Sequence, residues 1–258
     1  AIFTLFKHLN LNSCTIYSPA YLEYKKASLN FGYKLNLINR FENINVEIKK
    51  NSLVIFVNPS TPDGKYYDLE ELMQKWMENS CTILIDESFL DFCDKPSAIK
   101  YLENYDKLYI LKSMTKFYSS AGIRVGTIVS TKENIEKLKE FEPMWKLSQF
   151  DSIYLQNALE DKVFKSISIK INEKNRIELE NILKSSTLVE EISTSSANYI
   201  LVKLKDIKAK EFQERLKPYK IMVRDCSNFD YLDDRFVRIA VKSSSANDSL
   251  KRALNHIC

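Results

Sequence analysis

The sequence predicts an α/β fold, with a mostly parallel central sheet in a large domain and a small α+β C-terminal domain. Three observations predict it. In the first 150 residues short apolar strands alternate with helical stretches, the pattern of a parallel sheet covered on both faces. Turn-forming residues stand at the strand ends, in Asn58-Pro59, Pro62-Asp63-Gly64 and Ala121-Gly122. Beyond residue 188 the order becomes strand, helix, strand, strand, helix, an α+β module of its own.

Taken in order, the chain opens at Ala1 directly into an amphipathic helix pattern, Ile2, Phe3, Leu5, Phe6 and Leu9, with no initiator Met and no capping residue. A further N-terminal part of the large domain is therefore expected outside this sequence. Strands are expected over 14–17, 53–57, 82–86, 107–111 and 124–129, and helices over 21–31, 69–78 and 132–141. Residues 150–188 read as helical with few breakers. A strand over 199–205, a helix over 208–216, strands over 221–224 and 236–241 and a helix over 245–256 follow. This places a large domain at 1–150, connecting helices at 151–188 and the small domain at 189–258. The sequence has no internal repeat or low-complexity segment.

Composition excludes several function classes. Of 258 residues, 45% are apolar and 28% charged, an ordinary globular balance. The net charge of +4 is spread over basic residues that stand beside acids, as in 132–142, so the pattern is one of solvated helix faces and not a nucleic-acid stripe. No apolar run approaches the roughly 20 residues of a membrane span, and no secretory signal is visible. The five cysteines (Cys14, Cys81, Cys93, Cys226, Cys258) form no CxxC pair and the chain has two histidines, which argues against a metal site. A reduced, cytoplasmic protein is expected.

Ligands of parallel sheets sit beyond the carboxyl ends of the strands, and four expected strands end in polar groups there. Ser18-Pro19-Ala20-Tyr21 follows the first, Asn58-Pro59-Ser60-Thr61-Pro62 the second, Asp86-Glu87 the third and Lys112-Ser113-Met114-Thr115-Lys116 the fourth. An amine, a carboxylate, hydroxyls and an aromatic ring could thus converge on one ligand. Taken singly, each has a plainer role: an Asp at a strand end as a turn or cap, a loop Lys in solvent, a Tyr after Pro as packing. Pyridoxal phosphate requires such a set. A lysine carries it covalently, a buried carboxylate keeps the ring nitrogen protonated, a hydroxyl or amide donates to the ring oxygen, an aromatic face stacks on the ring, and an arginine with hydroxyls binds the phosphate.

Ser113-Met114-Thr115-Lys116 followed by Gly122-Ile123-Arg124-Val125-Gly126 resembles the lysine segment of the class I/II pyridoxal-phosphate-dependent aminotransferase family, in the branch of histidinol-phosphate aminotransferase and threonine-phosphate decarboxylase. The likeness runs from about Ser13 to the C-terminus. It implies the pyridoxal-phosphate-dependent transferase fold, with Lys116 as the catalytic, cofactor-bearing lysine, Ser113 and Arg124 on the cofactor phosphate, Asp86 on the pyridine nitrogen and Tyr21 on the ring face. Phe236-Val237-Arg238-Ile239-Ala240 resembles the segment whose arginine holds a substrate carboxylate. Tyr21-Leu22-Glu23-Tyr24 and Val223-Arg224-Asp225-Cys226-Ser227-Asn228-Phe229 are similar to the decarboxylase, and would place Arg224 on a substrate phosphate. Glu23, Asn198, Ser227 and Asn228 are further pocket candidates; for Asn198 a strand-end hydrogen bond, and for Ser227-Asn228 a turn, is the plainer reading.

The family's Asn-Pro-Asn-Asn-Pro-Thr-Gly stands here as Asn58-Pro59-Ser60-Thr61-Pro62-Asp63-Gly64, so Thr61 replaces the asparagine that donates to the ring oxygen, and Phe89 stands where a tyrosine is common. The resemblance puts the family's Gly-rich phosphate loop before Ala1. It implies decarboxylation of threonine phosphate or serine phosphate, with transamination of a phosphorylated substrate as the alternative, and a homodimer. A non-catalytic relative that keeps the fold for binding or scaffolding is the alternative from another class, motivated by Thr61, Asp63 and Phe89.

Overall fold

The structure, a computed structural model, describes residues 1–257; Cys258, one of the five cysteines, lies outside them. It contains two sheets. The first runs β2-β1-β3-β4-β5-β6, built from β1 (Ser13–Ser18), β2 (Lys34–Asn39), β3 (Leu53–Val57), β4 (Thr82–Asp86), β5 (Leu108–Ser113) and β6 (Gly126–Val129). Its first five strands are parallel and β6 pairs antiparallel with β5, which gives the mostly parallel sheet expected.

The central strands are buried on both faces because their apolar residues are continuous. Their side chains alternate between two cores. Val54, Phe56, Ile83, Ile85 and Ile110 point to one, with Trp76 of α3 (Glu70–Glu78). Leu53, Ile55, Val57, Leu84 and Leu111 point to the other, with Leu5 and Phe6 of α1 (Ile2–Leu9) and Tyr24 and Ala27 of α2 (Leu22–Asn30). A helix α4 (Lys132–Lys139) follows β6, capped by the Thr131 side chain.

Helices α5 (Gln149–Glu160) and α6 (Lys162–Lys184) lead to the second sheet, β7-β8-β10-β9: β7 (Val189–Ile192), β8 (Tyr199–Leu204), β9 (Arg224–Asp225) and β10 (Phe236–Ala240), all antiparallel. Leu179 and Leu183 of α6, Phe212 of α7 (Ala209–Leu216) and Leu250 and Leu254 of α8 (Ser244–Ile257) cover its apolar side chains. No helix of the described residues is long and apolar enough to cross a membrane.

Several expectations need correction. Two strands had not been expected: β2 is an edge strand whose Leu35 and Leu37 alternate with Lys34 and Asn36, and β7 carries Glu190 and Glu191. The strand expected over 221–224 shrinks to Arg224–Asp225, because the chain leaves a left-handed turn at Lys220 and pairs only at the end of the run. The strand expected from Arg124 begins at Gly126, since Arg124 itself is in the left-handed region at φ 59°.

Candidate active site

The strand order reverses direction between β1 and β3, so the chain departs to opposite sides there and leaves a crevice at the carboxyl ends. A cleft of about 580 Å³ opens at that place. Tyr21, Thr61, Asp86, Ser113, Lys116, Arg124, Arg224 and Arg238 all line it, so eight of the nine site residues expected from the sequence come together. Glu23 and Asn228 line it too, whereas Ser227 and Asn198 do not appear on its wall. The Asn198 Oδ1 is buried without a hydrogen-bond partner among the described residues, so its surroundings differ from those of an open pocket group.

Lys116 lines the cleft, and its amine lies 4.4 Å from the centroid of the Phe89 ring. Partial burial lowers its pKa from 10.5; Asp86 works against this, and Arg238 and Arg124 add to it. A lysine that sheds its proton more easily is a better nucleophile near neutrality. Phe89 in turn packs edge-on against Tyr199 at 4.8 Å, so the position lacking a hydroxyl serves as an apolar wall beside the amine.

Asp86 ends β4 and is 4% exposed. Its Oδ1 accepts the Ser88 N–H at 2.9 Å and its Oδ2 accepts the Tyr24 hydroxyl at 2.6 Å. The neighbouring Glu87 turns away from the cleft into a buried ion pair with Lys112 at 2.7 Å and also accepts from Ser97 and the Ala98 N–H.

The loop after β3 is held on every side. Asn58 exchanges two hydrogen bonds with the Tyr67 backbone, at 3.0 and 2.9 Å. Ser60 Oγ donates to Asp63 at 2.8 Å, and the Tyr199 hydroxyl donates to the Ser60 carbonyl at 2.9 Å. Asp63 forms a buried ion pair with Arg40, whose guanidinium also donates to the carbonyls of Tyr17, Pro19 and Thr61. Arg40 thus ties the loop carrying Tyr21 to the loop carrying Thr61, which explains how an aspartate fits at position 63. Sequence reasoning missed Arg40 because it follows β2, a strand that had not been expected. Gly64 sits at φ +77°, and a Cβ there would collide with Ser195 Oγ.

On the opposite wall, Arg238 of β10 stacks on Tyr199 at 4.6 Å and donates to Thr61 Oγ1 at 3.1 Å. The same hydroxyl also hydrogen-bonds the Tyr199 phenol. Arg224 is steadied by Asn228 Oδ1 at 2.8 Å. Cys226 between them is buried and its thiol is pushed up to about 11 by burial, so it is a packing residue and not a nucleophile. Among the described residues no group of three or more His, Cys, Asp or Glu could hold a metal ion.

The donor set fits pyridoxal phosphate. It offers an amine with a lowered pKa, a buried carboxylate with unused acceptor sites, an exposed aromatic ring at Tyr21, a hydroxyl at Thr61, and Ser113 and Arg124 on the cleft lining.

Residues 7–257 match the family model for aminotransferase class I and II. A protein of Caldanaerobacter subterraneus subsp. tengcongensis, provisionally named a threonine-phosphate decarboxylase, is 32% identical over 92% of this chain and 68% of its own length. The histidinol-phosphate aminotransferase of Methanocaldococcus jannaschii is 28% identical over 95% of this chain and 65% of its own length. The chain therefore spans about two thirds of these relatives. Among solved structures, the histidinol-phosphate aminotransferase of Clostridium acetobutylicum superposes with a TM-score of 0.88 at 28% identity, over the whole of this chain and 81% of that one.

Proposed function

The chain belongs to the class I and II aminotransferase family, a family of pyridoxal-phosphate enzymes, and on that premise we propose that it acts on a phosphorylated amino acid, by decarboxylation. One observation carries the substrate reading: two arginines, Arg224 and Arg238, opposite each other in the β9–β10 pair, line the cleft that Lys116 and Asp86 also line. Two guanidiniums suit a substrate with two anionic ends, a carboxylate and a phosphate.

In this reading Lys116 carries the cofactor, Asp86 receives the ring N–H, Tyr21 covers the ring, Thr61 donates to the ring oxygen, and Ser113 and Arg124 hold the cofactor phosphate. Bound pyridoxal phosphate supplies a protonated ring that takes up the electron pair of a bond broken at the substrate Cα. Arg238 grips the substrate carboxylate; Arg224, steadied by Asn228, grips its phosphate. Together they fix which Cα bond is presented for cleavage. Lys116, whose amine holds its proton less tightly than a lysine in water, would give or take a proton at Cα. When the bond to the carboxylate breaks, CO₂ leaves and a proton takes its place.

The stretch Val223–Phe229 and the 32%-identical relative favour decarboxylation. The aminotransferase relatives favour the second reading, transamination of a phosphorylated substrate. Incubation of the pyridoxal-phosphate-loaded protein with threonine phosphate or serine phosphate, without a keto acid, separates them. Decarboxylation predicts catalytic CO₂ release; product that forms only when a keto acid is added establishes transamination instead.

The same proposal includes a cytoplasmic homodimer and the division of the chain at about residues 150 and 189. Met144, Trp145, Phe150 and Val163, on and before α5 and α6, are exposed large apolar side chains, the kind that a subunit interface covers.

A further inference from the structure

We infer that Tyr24 is a positioning residue that acts on the cofactor through Asp86. The inference rests on the reading that the cleft takes pyridoxal phosphate with its ring nitrogen at Asp86.

Tyr24 lies on α2 with its ring fully buried, and its hydroxyl donates to Asp86 Oδ2 at 2.6 Å across 62 residues of chain. The other oxygen accepts the Ser88 N–H. An ionised carboxylate has about four acceptor sites, so two donors fix its orientation and still leave acceptor capacity toward the cleft that Asp86 lines. Among the described residues no cation is ion-paired with Asp86, so these two donors are what hold the carboxylate in place.

The Tyr24 phenol cannot share its proton in return. Burial first, and the neighbouring carboxylate second, hold it well above its ordinary value of 10.0, so it remains a donor throughout the neutral range. A permanent donor keeps Asp86 Oδ2 in the role of acceptor and leaves the other lone pairs of the carboxylate for a donor in the cleft. A ring N–H placed against Asp86 then keeps its proton, which is the state in which the ring withdraws electrons. Tyr24 also meets Tyr21 edge-on at 6.2 Å, so one side chain touches both the carboxylate at the ring nitrogen and the aromatic ring expected over the cofactor.

The test is a double-mutant cycle on the full chain, read by the equilibrium affinity for pyridoxal phosphate and by the pH dependence of the absorbance of the bound cofactor. Tyr24→Phe keeps the ring and removes the donor; it is expected to weaken affinity by about tenfold, the value of one charge-assisted hydrogen bond, and to shift the absorbance transition. On an Asp86→Asn background the same change is expected to cost less than about twofold, the level at which independent sites add. Melting temperatures of the unliganded variants identify any loss due to folding. Unchanged affinity and absorbance in Tyr24→Phe, or an equal loss on both backgrounds, overturns the inference. Wild-type protein that takes up no pyridoxal phosphate overturns the cofactor reading and this inference with it.

Discussion

At the scale of single residues, the chemistry concentrates in Lys116. Its pKa is lowered chiefly by burial, so the neutral, nucleophilic form is reached at lower pH than for a lysine in water. The sign of the linked stability effect follows. The folded protein disfavours the charged amine, so the fold carries a penalty while Lys116 is protonated, and the penalty fades as pH rises through the lowered value. We predict that the rate at which the unliganded protein takes up pyridoxal phosphate rises with pH to a half-maximum below 10.5, measured by stopped-flow absorbance. A midpoint at or above that of a free lysine would contradict the lowered value. Asp86 was legible from sequence because it ends an apolar strand, and Lys116 because it follows one closely. Tyr24 was legible only as part of a motif, since nothing in a helix pattern reveals that its hydroxyl reaches a carboxylate on β4. Asn198 was expected on the pocket wall and is not there, because strand position does not settle where a side chain near a strand start emerges.

At the scale of elements, the loop after β3 shows how a departure from the family pattern is accommodated. Asp63 would be an isolated buried charge without Arg40, and Arg40 would be one without Asp63; their side chains are 2% and 1% exposed. Removing one partner of such a pair costs about 3–5 kcal/mol, because the other charge stays buried. Asp63→Ala is therefore expected to lower stability by about 3–5 kcal/mol, measured by denaturant unfolding. A loss below about 1 kcal/mol, as for a surface pair, would show that the Arg40 bridge does not organise the two loops. The sequence exposed the turn residues of this loop but not the bridge, because a long-range ion pair leaves no periodic signal. The central strands were legible for the opposite reason: continuous apolar runs such as Leu53–Val57 admit few placements other than a sheet buried on both faces.

At the scale of the whole molecule, the two sheets meet across the cleft. Tyr199 and Arg238 of the second sheet bond to Ser60 and Thr61 of the first. On the other side, Asp230 pairs with Lys25 of α2 at 2.6 Å and Tyr231 donates to the Leu37 carbonyl at 3.2 Å, so the segment carrying Asn228 and Phe229 is fastened to the large sheet. The alternation of strands and helices foretold the parallel sheet, and the cleft is lined by residues at the carboxyl ends of its strands. These cross-cleft contacts were not legible, because they join residues up to 212 positions apart through single side chains. Trp145, a large apolar side chain that is 90% exposed, carries the assembly prediction. Trp145→Glu is expected to shift the protein from dimer to monomer in sedimentation velocity. A wild-type protein that is monomeric at all concentrations tested would contradict the homodimer.

The attachment of pyridoxal phosphate to Lys116 is the claim on which the rest depends. Borohydride reduction of the cofactor-loaded protein, followed by peptide mass mapping, tests it directly. A reduced pyridoxal-phosphate label is expected on the peptide that contains Lys116, and none in Lys116→Ala. A label on another lysine, or none in the wild type, would contradict it.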